Sequence, residues 1–180
     1  MLQKDFKFVK ELADEFFNQT HIIERLDLIE KKEITGWEIW LQIEFAIFLD
    51  EHSDIARWDR EYMYSVDRRK TKNKTLIAVD FTFRKKHSST YRYIALEIKQ
   101  NKSASSCIRA MMNDIHKLFI IKRSVDDIRS IWNLGVHLYV EPDVIYEKVR
   151  KYEKDLKVSL VDNCIVSDRI QDTHFAYTIF

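Results

Sequence analysis

Two segments with the period-two alternation of β-strands, TLIAVDFTF at 75–83 and YRYIALEIK at 91–99, are joined by only seven residues, RKKHSST. So short a polar connection predicts an antiparallel hairpin. Ile77, Val79, Phe81 and Phe83 share one face of the first strand, and Ile94, Leu96 and Ile98 share one face of the second. Keeping both apolar faces on one side sets Phe81 opposite Leu96, Val79 opposite Ile98 and Asp80 opposite Glu97. A slip of two residues would preserve the same faces. The other side of the hairpin carries Asp80, Glu97 and Lys99 among the small residues Ala78, Thr82 and Ala95. Two carboxylates at neighbouring strand positions repel unless a cation lies between them.

The rest of the chain can be read around this hairpin. Helical periodicity covers about 3–18, 20–32 and 36–51, and a further strand is expected at 57–66. Ser103 to Ser105 offer an N-cap for a helix running to about 122. A short helix near 125–131, a strand at 134–140, a helix at 142–155 opened by Pro142, and strands at 157–166 and 173–180 complete the order. With two glycines and one proline in 180 residues, regular elements and short turns dominate. The expected fold is α/β: a mixed central sheet, an antiparallel meander plus later strands, flanked by helices on both faces. It forms one domain over 1–180, with 1–33 as an N-terminal helical region packed on it.

No run of about 18 apolar residues is present, so no membrane span is expected. Cys107 and Cys164 have no metal-type spacing and suit a reducing, cytoplasmic setting. The net charge of +1 conceals an asymmetry. Residues 1–56 hold 6 Lys and Arg against 13 Asp and Glu, and residues 57–102 hold 13 against 5. The basic block surrounds the hairpin and suits a polyanion. Arg68, Arg69, Lys70, Lys72, Lys74, Arg84, Lys85 and Lys86 are its candidate phosphate contacts.

Oxygen donors such as Asp80 and Glu97 suit Mg²⁺ or Mn²⁺, which keep several waters and share the rest with substrate phosphate. Lys99, one strand repeat from Glu97, can stabilise negative charge growing on a phosphate or hold an activated water. On the 36–51 helix, Trp37, Trp40, Leu41, Glu44 and Phe48 fall on one side. That places Glu44 facing inward, either completing the acidic cluster or paired with an arginine such as Arg57 or Arg60. Glu38 lies on a different face and is the weaker candidate.

The set Asp80, then Glu97-Ile98-Lys99 on the next strand of a hairpin, then a helix from Ser103 resembles the PD-(D/E)-x-K nuclease superfamily, whose fold is restriction-endonuclease-like. Val79 stands where the name-giving proline would be. The resemblance spans about 36–140. It implies a metal-dependent nuclease, endonucleolytic and acting on DNA, with Asp80 and Glu97 as metal ligands and Lys99 as the charge-stabilising residue. Glu44, matching a helix Glu that many members add, would be a further ligand. Gln100, Asp114 and Lys117 are possible supporting residues. Many members dimerise, and the resemblance leaves a homodimer open.

The six histidines form no i, i+4 pair, and the chain has no nucleophile elbow and no Gly-rich phosphate loop. The reading that competes with a nuclease is a non-catalytic nucleic-acid-binding or protein-interaction module that keeps the same fold.

Overall fold

The structure, a computed structural model, describes residues 1–65, 76–89, 92–118 and 128–180, with 116–118 as backbone only. Three helices come first: α1 (Leu2–Phe17), α2 (Thr20–Lys31) and α3 (Glu38–Glu51). A meander of β1 (Ile55–Ser65), β2 (Leu76–Lys85) and β3 (Tyr93–Gln100) follows. Then come α4 (Ala104–Leu118), β4 (Ile128–Leu138), α5 (Pro142–Leu156), β5 (Val166–Arg169) and β6 (Phe175–Ile179). The six strands form one open mixed sheet in the order β1-β2-β3-β4-β6-β5, with β3 and β4 parallel and every other pair antiparallel. The fold is therefore α/β.

The helices form a layer on each side of the sheet. Phe8, Leu12 and Phe16 of α1, Leu26 of α2 and Phe45 of α3 pack on Phe81, Phe83, Ile94, Leu96 and Ile98. On the other side Cys107, Ile108, Met111 and Met112 of α4 pack with Ile145 and Val149 of α5. α4 lies unusually close to the sheet at Gly135 of β4. A Cβ there would collide with the sulfurs of Met111 and Cys107, so any other residue would force those side chains to shift. Pro142 opens α5 as expected. The Ser103 hydroxyl accepts the N–H of Ser106 at 3.3 Å, capping α4 from the serine run.

Two expectations fail. Residues 128–131 belong to β4 and not to a helix: IRSIWNLGVHL is rich in branched and aromatic residues and pairs in parallel with β3 along its length. The span 157–165 is not a strand. Glu153 of α5 accepts the Leu160 N–H at 2.6 Å and Arg150 pairs with Asp162, so this segment bonds back to the helix before a 3-10 turn at Asp162–Cys164. No helix among the described residues is long and apolar enough to cross a membrane.

Candidate functional site

β2 and β3 pair through Phe81–Leu96, Thr82–Ala95 and Phe83–Ile94, the register expected from the apolar faces and not the one slipped by two residues that they also allow. Beyond Phe81 the ladder stops. Asp80 fills the gap: its carboxylate accepts the backbone N–H of Ile98 at 2.8 Å. A side chain thus takes the place of a strand partner, and the carboxylate is fixed beside Glu97.

Lys99 stands at the centre of the acidic cluster. Its Nζ lies 3.0 Å from Asp114 of α4, 3.7 Å from Glu97 and 3.9 Å from Asp80. Asp114 is only 4 % exposed and Glu97 6 %. Burial, reinforced by the Asp80 charge, pushes the Glu97 carboxyl up to about 8. Burial draws the Lys99 ammonium down, but the Asp80 and Asp114 charges outweigh it and its pKa is raised. Among the described side chains three acids share the pocket with one base, Lys99.

Asp114 reaches this pocket because the helix is so close to the sheet. Lys99 pairs with Gly135 in the β3–β4 ladder, and that glycine admits Cys107 and Met111 directly above it. The Cys107 thiol, pushed up to about 12 by burial, sits 3.9 Å from the Lys99 carbonyl oxygen. Asp114 lies two turns further along α4. The side chain of Lys117 lies outside the described residues.

Glu44 does not join the cluster. It binds Arg25 of α2, accepts the Trp40 indole N–H at 3.0 Å and lies 3.5 Å from His21. Its partner is Arg25 and not Arg57 or Arg60. Arg57 pairs with Asp59, and Arg60 donates to Gln42 at 2.9 Å. The reason is the rotation of α3. The side buried on the sheet is centred on Leu41, Phe45 and Leu49, so Glu44 flanks α2.

Glu38, the weaker candidate by sequence, lies on the buried side. Its carboxylate accepts the Gln100 N–H at 2.9 Å, and it is near enough to Cys107 to help raise that thiol. It ties the start of α3 to the residue after Lys99. The contact Gln100 makes with Glu38 is through its backbone N–H.

The basic residues divide. Arg68, Arg69, Lys70, Lys72 and Lys74 lie outside the described residues, which resume at Leu76, four positions before Asp80. Arg84, Lys85 and Lys86 lie at the far end of β2, about 13–20 Å from Asp80 at roughly 3.3 Å per residue. Arg84 donates to the Ser88 carbonyl at 3.3 Å. Lys85 pairs with Asp54 and covers the Phe8 ring, while Lys86 is exposed. These three do not border the acidic cluster.

Among the described residues no three acids, imidazoles or thiols form a ready cage for a metal ion. The donor set nevertheless fits a hard divalent cation with two protein ligands. Asp80 and Glu97 adjoin, burial and the Asp80 charge raise the Glu97 carboxyl, and the Lys99 ammonium lies nearest Asp114. Mg²⁺ commonly takes one or two carboxylates and completes its shell with water and phosphate. Comparison with protein-family models, curated proteins and solved structures found no match for this chain.

Proposed function

We propose that this protein is a Mg²⁺- or Mn²⁺-dependent nuclease of the PD-(D/E)-x-K type with a restriction-endonuclease-like fold, hydrolysing phosphodiester bonds of DNA. The observation that supports it is the meeting of Asp80, Glu97 and Lys99 in one pocket, where the described side chains hold more acid than base. Asp80 and Glu97 would hold the cation, which supplies an activated water and neutralises phosphate charge. Asp80 is kept in place by the Ile98 N–H, so its free oxygen has a fixed direction. Lys99, held cationic by its neighbours, meets the charge that develops on the phosphate as water attacks. Asp114 is a positioning residue that sets where the ammonium stands. From α3, Glu38 reaches the residue that follows Lys99 by accepting the Gln100 N–H.

One observation favours the competing module. The Lys99 ammonium lies within 4 Å of all three carboxylates, so it partly compensates them internally. A cleavage assay with Mg²⁺ and Mn²⁺ on single-stranded, double-stranded and branched DNA, and on RNA, separates the two. Metal-dependent cleavage of DNA that is lost in Asp80→Asn supports the nuclease. A folded wild type that cuts none of the panel removes it.

A further inference from the structure

Beside Glu97, on the strand away from Asp80, stands Asn133 of β4. The two are partners in the parallel ladder, so they lie level with one another on strands roughly 4.8 Å apart. They also share a face. A Cβ at Gly135, one strand repeat after Asn133, would point at Met111 and Cys107 of α4. Lys99, one repeat after Glu97, meets Asp114 of the same helix. Alternation therefore turns Asn133 and Glu97 to the α4 side together. With Phe81 opposite Leu96, Asp80 falls on the other flank of Glu97. Asp80, Glu97 and Asn133 form a row across β2, β3 and β4.

Asn133 is 1 % exposed, and its amide oxygen has no hydrogen-bond partner among the described residues. Its backbone is fully engaged. The N–H donates to the Phe180 carbonyl at 2.8 Å, and the carbonyl accepts the Phe180 N–H at 3.3 Å. The orphaned oxygen is thus carried by a strand fixed on both edges. Its neighbours toward β6 and along β4 are apolar: Phe180, buried in the α4–α5 core, Ile131 and Gly135. The polar neighbours in the ladder are on the β3 side, Glu97 level with it and Lys99 one repeat on, whose Nζ is 3.0 Å from Asp114. A buried acceptor left unpaired is costly, and leucine, of nearly the same shape, would fill the position without that cost. An amide oxygen is also a hard, uncharged donor of the kind Mg²⁺ and Mn²⁺ accept beside carboxylates.

We propose that Asn133 supplies a third oxygen ligand to the cation held by Asp80 and Glu97, from the flank of Glu97 opposite Asp80. The inference rests on the cation reading given above and extends the site to a third strand. An amide there adds an oxygen without adding to the repulsion between the two carboxylates. It leaves the bound cation the positive charge that a phosphate answers.

Calorimetric titration of the nucleic-acid-free chain with Mn²⁺ tests it. Wild type is expected to bind the ion, and Asp80→Asn to lose that binding. Asn133→Leu should bind Mn²⁺ about tenfold or more weakly. Its cation-free melting temperature should equal or exceed that of wild type, because the orphaned oxygen is gone. Asn133→Asp, which keeps an oxygen in place and charges it, should bind more tightly than wild type and show a larger rise in melting temperature on adding Mn²⁺. A folded Asn133→Leu with wild-type affinity overturns the inference and leaves the site of Asp80 and Glu97 standing. If the leucine variant does not fold, Asn133→Asp decides, and no gain in its affinity overturns the inference equally. A wild type that binds no Mn²⁺, or that binds it as well after Asp80→Asn, removes the cation reading and this inference together.

Discussion

The parallel pair β3–β4 carries a buried ion cluster at each end, and the two are built differently. Arg129, near the start of β4, binds Asp5 of α1 through two guanidinium nitrogens, one of them at 2.8 Å. Asp5 is 1 % exposed. One base meets one acid in bidentate geometry and the charges cancel. Lys99, at the end of β3, meets three acids at 3.0 to 3.9 Å, and one of them keeps a proton to about pH 8. A buried pair that balances is complete and holds two elements together. A buried group with excess negative charge remains able to take a cation. The difference in charge balance, more than burial itself, distinguishes the structural cluster from the candidate functional one.

The sharpest test of that contrast removes one member from each cluster. Lys99→Ala and Asp80→Asn are each expected to lower Mg²⁺-dependent DNA cleavage about a thousandfold or more, several kcal/mol of transition-state stabilisation. Thermal unfolding of Asp80→Asn should stay close to wild type, since an amide oxygen can still accept the Ile98 N–H, whereas Lys99→Ala leaves the buried Glu97 and Asp114 without this cation and should also lose stability. Asp5→Ala should do the reverse of Asp80→Asn. It leaves the Arg129 guanidinium without its partner and should cost about 2–4 kcal/mol of stability, read by urea titration, with cleavage per folded molecule unchanged. If Asp5→Ala abolished cleavage in the folded protein, the division into structural and functional clusters would fail.

A smaller effect comes from the Glu97 proton. In the folded chain this carboxyl titrates near 8, against an ordinary value of 4.5. The native state therefore binds more protons than the unfolded chain between those values, and stability contributed by this group falls as pH rises across that window. Unfolding in EDTA should show the decline in wild type. Glu97→Gln, which carries no charge, should flatten it and exceed wild type at pH 9 by about 1–3 kcal/mol. Added Mg²⁺ should raise the wild-type midpoint most at high pH, where Glu97 is free of its proton. Equal slopes for wild type and variant would show that the pocket has no charge excess to relieve.

The hairpin was legible because two independent patterns agreed: alternation fixed the faces, and a seven-residue loop fixed the pairing. That sufficed to bring Asp80, Glu97 and Lys99 to one place. Asp114 was harder to read. From spacing alone it belongs to a polar helix face, and only the close approach at Gly135 buries it on Lys99. One of the chain's two glycines, inside a strand pattern, was the available signal for that approach. The start of β4 was misread because IRSIW carries both helical and strand spacing, and parallel pairing with β3 decided it. In α3 the apolar residues surround the axis, so no single face announced itself. The row Ile39, Ile43 and Ile47 looks as buried by composition as Leu41, Phe45 and Leu49 do in fact.

That ambiguity gives the smallest expected effect, and it bears directly on which glutamate of α3 matters. Glu44 sits between Arg25, His21 and Trp40, away from the cluster. Glu44→Ala removes contacts to a half-exposed arginine and an indole, and should cost about 1 kcal/mol of stability with cleavage within about twofold of wild type. Glu38→Ala leaves the Gln100 N–H without its acceptor and frees the residue that follows Lys99. Its expected cost is about tenfold in cleavage rate, roughly 1.4 kcal/mol, because Lys99 would be held less well without being removed. Glu38→Gln retains an oxygen acceptor for that N–H and should recover most of the loss. A carboxylate needed for its charge would not be rescued by glutamine, so a Glu38→Gln variant as slow as Glu38→Ala would make Glu38 a ligand or charge-bearing member of the site and not a positioning residue. A rate loss in Glu44→Ala matching that of Glu38→Ala would show that the rotation of α3 does not decide which glutamate the site uses.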